Sequence, residues 1–166
     1  QQTRREEEVM ATNTLENISA SLLNFCKRFA ENAVLQSLTN QSLKPWDFDT
    51  VQSEDELPPE DLIGISNLSV TVDEHLLEIE CLVGITTYSD TNGMRLKKLM
   101  GYLFEELKPT CVLHYLDAET GVRSNLLSVL NGTKLMPVTG GLRPARFIIV
   151  RLKSLETIEL KGPSSL

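Results

Sequence analysis

Histidine and cysteine are scarce in this sequence, and their scarcity argues against metal chemistry. The 166 residues hold two histidines, His75 and His114, and three cysteines, Cys26, Cys81 and Cys111. None stand at the short spacings of a zinc site, and Cys111 and His114, three apart on an expected strand, point to opposite faces. No metal ligand set and no cofactor are expected. Three cysteines cannot all pair within one chain, which predicts free thiols and a reducing compartment. Cys26 falls on an apolar helical stripe and Cys81 on the apolar face of a strand, where burial makes a thiol inert. No Gly-x-Ser-x-Gly elbow occurs. Thr139-Gly140-Gly141-Leu142-Arg143 lacks the Gly-Lys-Ser/Thr ending of a phosphate cradle, so it reads as a flexible loop tip. No apolar run approaches the roughly 18 residues of a membrane span, and the opening residues lack the apolar stretch of a secretory signal. Basic charge is also short. Acids outnumber bases 23 to 16, for a net charge of −7, the opposite sign to a free-standing nucleic-acid binder. Aromatics make up 5%, too few for a base-stacking platform. The expectation is a protein that is not an enzyme.

The length fits one domain, and 41% apolar with 23% charged residues suits a packed core. The fold class expected is α+β: an antiparallel or mixed sheet, two amphipathic helices packed on it, and a long acidic loop. Residues 1–13 read as a lead outside the domain. Arg4-Arg5-Glu6-Glu7-Glu8 before Met10 fits translated upstream sequence with a start at Met10, or a genuine flexible or helical N-terminus. Residues 14–161 form the domain and 162–166 a fraying tail.

Asn13 and Glu16 resemble a capping box. Leu15, Ile18, Leu22, Phe25, Cys26, Phe29, Ala33 and Val34 then give one helical stripe over Thr14–Leu38, with Asn17, Ser21, Asn24, Lys27, Arg28 and Glu31 on the other face. Residues 39–61 hold three prolines and no apolar period, and so read as a loop or arm, with Trp46 and Phe48 pinning it to the body. Leu68, Val70 and Val72, then Leu77, Ile79, Cys81, Val83 and Ile85, alternate as a hairpin turning at Asp73-Glu74-His75. Met94, Leu96, Leu99, Met100, Leu103, Phe104 and Leu107 mark a second helix that Pro109 ends. Cys111–Leu116 reads as a short strand, Val122–Leu130 as strand or helix, Lys134–Val138 as a strand, and Ala145–Leu155 as a central strand.

Charge is segregated along the chain. Gly121–Leu155 carries Arg123, Lys134, Arg143, Arg146, Arg151 and Lys153 and no acid. Residues 39–61 carry Asp47, Asp49, Glu54, Asp55, Glu56, Glu60 and Asp61 against Lys44 alone. Three explanations fit: the acidic segment folds back on its own basic sheet, it meets the basic surface of the next copy, or the basic stretch lines a nucleic-acid groove. The second closes a ring when the rotation allows; the third is disfavoured by the lack of aromatics. Glu78 and Glu80 share one strand face and read as a solvated or inter-subunit face, not as a catalytic pair.

The element order is helix, long loop, hairpin, helix, then strands ending in Arg146-Phe-Ile-Ile-Val-Arg151. With Leu76-Leu-Glu-Ile-Glu-Cys-Leu-Val-Gly-Ile-Thr and the Asn92–Leu107 helix, it resembles the tail-terminator and neck proteins of long-tailed bacteriophages. The acidic 39–61 insertion departs from that pattern. The resemblance implies a virion protein assembled in the host cytoplasm. It would form a homohexameric ring that caps the tail tube protein, docks to the head-side connector protein and passes DNA through its lumen without specific binding. The resemblance implies no membrane partner. Asp55, Glu56, Arg143, Arg146, Arg151 and Trp46 are the subunit-interface candidates; Glu78 and Glu80 are the lumen-facing ones. The alternatives are a monomeric ligand-binding or enzymatic α+β domain, which requires a deep pocket, and a bacterial adaptor using the Trp46 arm.

Overall fold

The computed structural model describes residues 2–32, 43–50, 56–74, 76–109, 111–138, 141 and 143–155, with side chains of the first helix from Thr14 onward. Helix α1 spans Gln2–Ala30. It therefore passes through Asn13 without a capping box and takes in the lead, whose Arg, Glu, Met and Ala are strong helix formers. It also stops short of the expected Leu38. The last turn tightens through the Asn32 N–H donating to Phe29 O at 3.1 Å, a common way to satisfy a terminal carbonyl. Residues 33–42, with Ala33 and Val34, lie outside the described residues.

The strands are β1 (Lys44–Asp47), β2 (Leu62–Asp73), β3 (Leu76–Thr86), β4 (Val112–Leu116), β5 (Arg123–Val129), β6 (Lys134–Leu135) and β7 (Ala145–Ser154); helix α2 (Met94–Glu106) follows β3. They form one mixed sheet in the order β1-β2-β3-β7-β5-β4, with β6 also paired to β7. The fold is α+β. β1 runs parallel to β2, and the other pairings are antiparallel. β7 is central, as its Phe-Ile-Ile-Val run predicts. The ambiguous 122–130 stretch is strand β5, and the expected strand at 134–138 shortens to β6.

Two departures have a plain cause. β2 begins at Leu62, not near Leu68, because a bulge between Ser66 and Ser69 shifts the pairing by one residue. Ile63 and Ile65 then share the core face with Leu68 and Val70, although their spacing breaks strict alternation. Asn67 adopts φ +54° at the bulge. The Asp49 carboxylate holds it there, accepting the N–H groups of Asn67 at 2.7 Å and Leu68 at 3.3 Å and the Ser66 hydroxyl at 3.4 Å. The second departure is β1 itself, which lies in the segment expected to be a loop. It stays close to β2 because Gly64 has no side chain: a Cβ there would stand 1.7 Å from Trp46 O. The Phe48 ring meets Phe147 edge-on at 5.7 Å, so the segment is pinned to the body.

One sheet face carries the core. α1 contributes Ile18, Leu22, Cys26 and Phe29, and α2 contributes Leu96, Leu99, Met100 and Leu103. The sheet curls, and α1 packs against β4 as well as β1 and β2, bridging its two ends. This reverses the expected placement of Asn17 and Ser21, which are 8% and 1% exposed, and of Leu15, which is half exposed. The reason is hydrogen bonding. Edge strand β4 has unpaired N–H donors; Ser21 Oγ accepts from Leu116 N at 2.7 Å and Asn17 Oδ1 from Ala118 N at 2.9 Å.

Candidate functional site

Beside α2 the described residues leave part of the core face uncovered. A groove of about 540 Å³ runs between α2 and the β6–β7 end of the sheet, lined by Leu96, Met100, Gly101, Phe104, Leu135 and Val138. Met94 and Phe104, expected on the core stripe, are instead 54% and 41% exposed, and Val138 is 65% exposed. The helix presents two adjacent apolar stripes, and the sheet covers only one. Lys97, Arg146, Asp90 and Asn92 supply the polar part of the lining.

The end of the groove near Asp90 is fixed by a polar clamp. The Asp90 carboxylate accepts the N–H groups of Arg95 at 3.1 Å and Leu96 at 2.9 Å, the first turn of α2, and the Thr87 hydroxyl at 2.9 Å. Burial pushes its pKa up, but these hydrogen bonds and the nearby Arg95 charge outweigh burial and hold the carboxyl below its ordinary value. Arg95 in turn donates to Asp61 through Nε at 2.7 Å and Nη2 at 2.9 Å, and Asp61 also accepts the Tyr88 N–H at 2.9 Å. The hydrogen bond to Asp61 raises the Arg95 pKa. Asp61 is 0% exposed. Its partner is thus Arg95 of α2, and not Lys44 or a base of the 121–155 stretch.

Arg146 and Arg151, five apart on β7, fall on opposite sheet faces, so the described interface candidates do not share one patch. Asp55 lies outside the described residues, and Glu56 is exposed. Arg143 is half-buried. It donates to the carbonyls of Pro58 and Glu60 and stacks its guanidinium over the Tyr88 ring at 5.5 Å. Lys44 Nζ approaches Glu60 at 3.8 Å. At this end, then, the acidic segment is held to its own molecule, through its backbone carbonyls on Arg143 and through Asp61 on Arg95 of α2. Arg146 Nε donates to Met136 O at 3.0 Å, and Arg151 Nη2 to Asn131 O at 3.1 Å. Trp46 is half-buried in β1, inside the sheet and not on a free arm. Glu78 and Glu80 are exposed on the face away from the core, opposite Lys153 and Arg151 of β7. That face is therefore mixed in sign. Thr139, Gly140 and Leu142 lie outside the described residues, as do residues 156–166.

All three cysteines are free. Burial pushes the Cys81 thiol up to about 12, with Asp49 and Glu80 adding to it. Burial raises Cys26 further, with Cys81 contributing, and also raises the half-buried Cys111. Among the described residues no group of His, Cys, Asp and Glu is placed to hold a metal ion, and no helix is long and apolar enough to cross a membrane. No protein-family profile matches the chain, and no curated protein matches it.

Proposed function

We propose that this chain is a structural subunit of the head–tail junction of a long-tailed bacteriophage, a ring-forming tail terminator that caps the tail tube and joins it to the neck. The observation that carries the reading is the open groove beside α2. Apolar surface there, with Phe104 and Val138 facing solvent, is what a protein–protein contact covers. The order of helix, hairpin, helix and closing strand also supports it through the resemblance described above. Self-contact through an apolar groove takes over the role assigned to charge, because Arg143, Arg146 and Arg151 donate to carbonyls of their own chain. A lumen built from the mixed Glu78, Glu80, Arg151 and Lys153 face has no net sign with which to grip DNA phosphates.

Mass photometry and negative-stain imaging, with and without tail tubes, test the reading. Rings, or tubes with capped ends, are expected. A folded monomer that forms neither refutes it.

One observation favours a second reading, a monomeric ligand-binding domain. The groove's volume lies within the usual small-molecule range of roughly 300–1,000 Å³, with Lys97 and Arg146 in its lining. Saturable binding of a medium-chain fatty acid by a chain that stays monomeric, weakened in Lys97→Glu, would favour it.

A further inference from the structure

Gly101 occupies the interior of α2 and lines the groove. Glycine in a helix interior costs about 1 kcal/mol relative to alanine. A Cβ at this position would meet nothing within 4 Å. Among the described residues no contact requires the absence of a side chain there. What the glycine does permit is close approach of a second backbone. β6, which supplies Leu135 to the lining, pairs among the described residues with β7 alone. The charge of the lining is positive in effect: Lys97 and Arg146 contribute cations, while the Asp90 carboxylate is occupied by the first turn of α2.

The chain contains a segment of matching chemistry directly after β7: Leu155-Glu156-Thr157-Ile158-Glu159-Leu160. In an extended chain Glu156, Ile158 and Leu160 fall on one side, so the apolar pair enters the groove together with one carboxylate that answers its cations. Reach decides whose groove it fills. Leu155 is fixed by its N–H donating to Leu126 O at 2.9 Å. The groove's nearest strand landmark, Leu135, is paired with Ile148. Ile148 lies about 23 Å along β7 from Leu155 at 3.3 Å per residue. From Leu155, Ile158 reaches at most about 10 Å and Leu160 about 17 Å. Neither span covers the distance to the Leu135 side of the groove in the same molecule.

We propose that the groove between α2 and β6 receives residues 155–160 of a neighbouring copy of this chain, joining copies head to tail. The assignment rests on the self-assembling reading above and names its contact. Such a contact is heterologous, and it closes into a ring when the rotation between copies allows.

The test uses a fluorescein-labelled peptide of residues 153–162 and the full chain. Saturable anisotropy is expected, weakened at least about tenfold by Gly101→Trp, which fills the groove from a position with open space around it. Ile158→Asp in the peptide should weaken it equally, and that change leaves the protein untouched. No saturable binding below about 1 mM, or binding indifferent to both changes, overturns the proposal. Rings formed by Gly101→Trp as readily as by the unaltered chain also overturn it, while leaving the ring reading standing. Peptide binding of the expected pattern by a chain that never forms rings, alone or on tail tubes, supports the groove contact and removes the ring reading.

Discussion

Replacing Asp61 with alanine tests the clamp that sets the groove's end. The carboxylate is wholly buried and accepts from Arg95 Nε at 2.7 Å, from Arg95 Nη2 at 2.9 Å and from Tyr88 N at 2.9 Å. Breaking a buried ion pair by removing one partner costs about 3–5 kcal/mol, mostly from the charge left behind. Here the Arg95 side chain is 22% exposed and turns in part to water, which places Asp61→Ala near the low end, at about 3 kcal/mol. For a chain of this size that lowers Tm by about 6–12 °C. Asp61→Asn keeps the shape and the acceptor for Tyr88 N–H and should lose about 2 kcal/mol. Asp61→Ala combined with Arg95→Ala leaves no orphaned charge, so its loss should fall short of the sum by about 1–3 kcal/mol. Urea denaturation with an unchanged m-value measures all three. A loss under about 1 kcal/mol for Asp61→Ala, or an additive double variant, would show that the pair does not hold the acidic segment to α2.

Two further outcomes follow from the same geometry. Asp90 has a carboxyl pKa below its ordinary value in the folded chain. Its contribution is therefore complete above the unfolded carboxylate pKa of about 4 and is lost as pH falls through the lower folded value. Asp90→Ala should cost about 1 kcal/mol at neutral pH and less in acid; a urea midpoint offset that stays constant from neutral pH into acid contradicts this. With a disulfide reagent such as 5,5′-dithiobis(2-nitrobenzoate) near neutral pH, buried Cys26 and Cys81 should stay unmodified in the native chain, with reaction confined to half-buried Cys111. All three should react in urea; Cys26 or Cys81 reacting at the rate of Cys111 would mean that the α1–sheet core opens readily.

Period-two alternation made β3 and β7 legible, because every second residue from Leu77 to Ile85 is buried and a strand imposes that period by geometry. β2 was legible only past its bulge, since one inserted residue reverses the parity of Ile63 and Ile65 relative to Val70. β1 left no pattern: it is four residues long, with exposed Lys44 followed by three half-buried residues, and contains a proline. Asn17 and Ser21 looked like solvent residues because polarity alone says nothing about a strand edge waiting for acceptors. The candidate site was the least legible part. Phe104 has the spacing of a core residue, yet it stands 41% exposed in the groove beside α2.

By itself the sequence determined the α+β class, both helices, the strongest strands and the inertness of Cys26 and Cys81. Each of these follows from local period and side-chain chemistry. The tertiary structure decided which apolar stripe of α2 stays uncovered, which base answers Asp61, and that the arginines of the basic stretch donate to carbonyls of their own chain. Those outcomes depend on which surfaces meet when strands far apart in sequence pair and the sheet curls onto α1. No local pattern encodes that meeting.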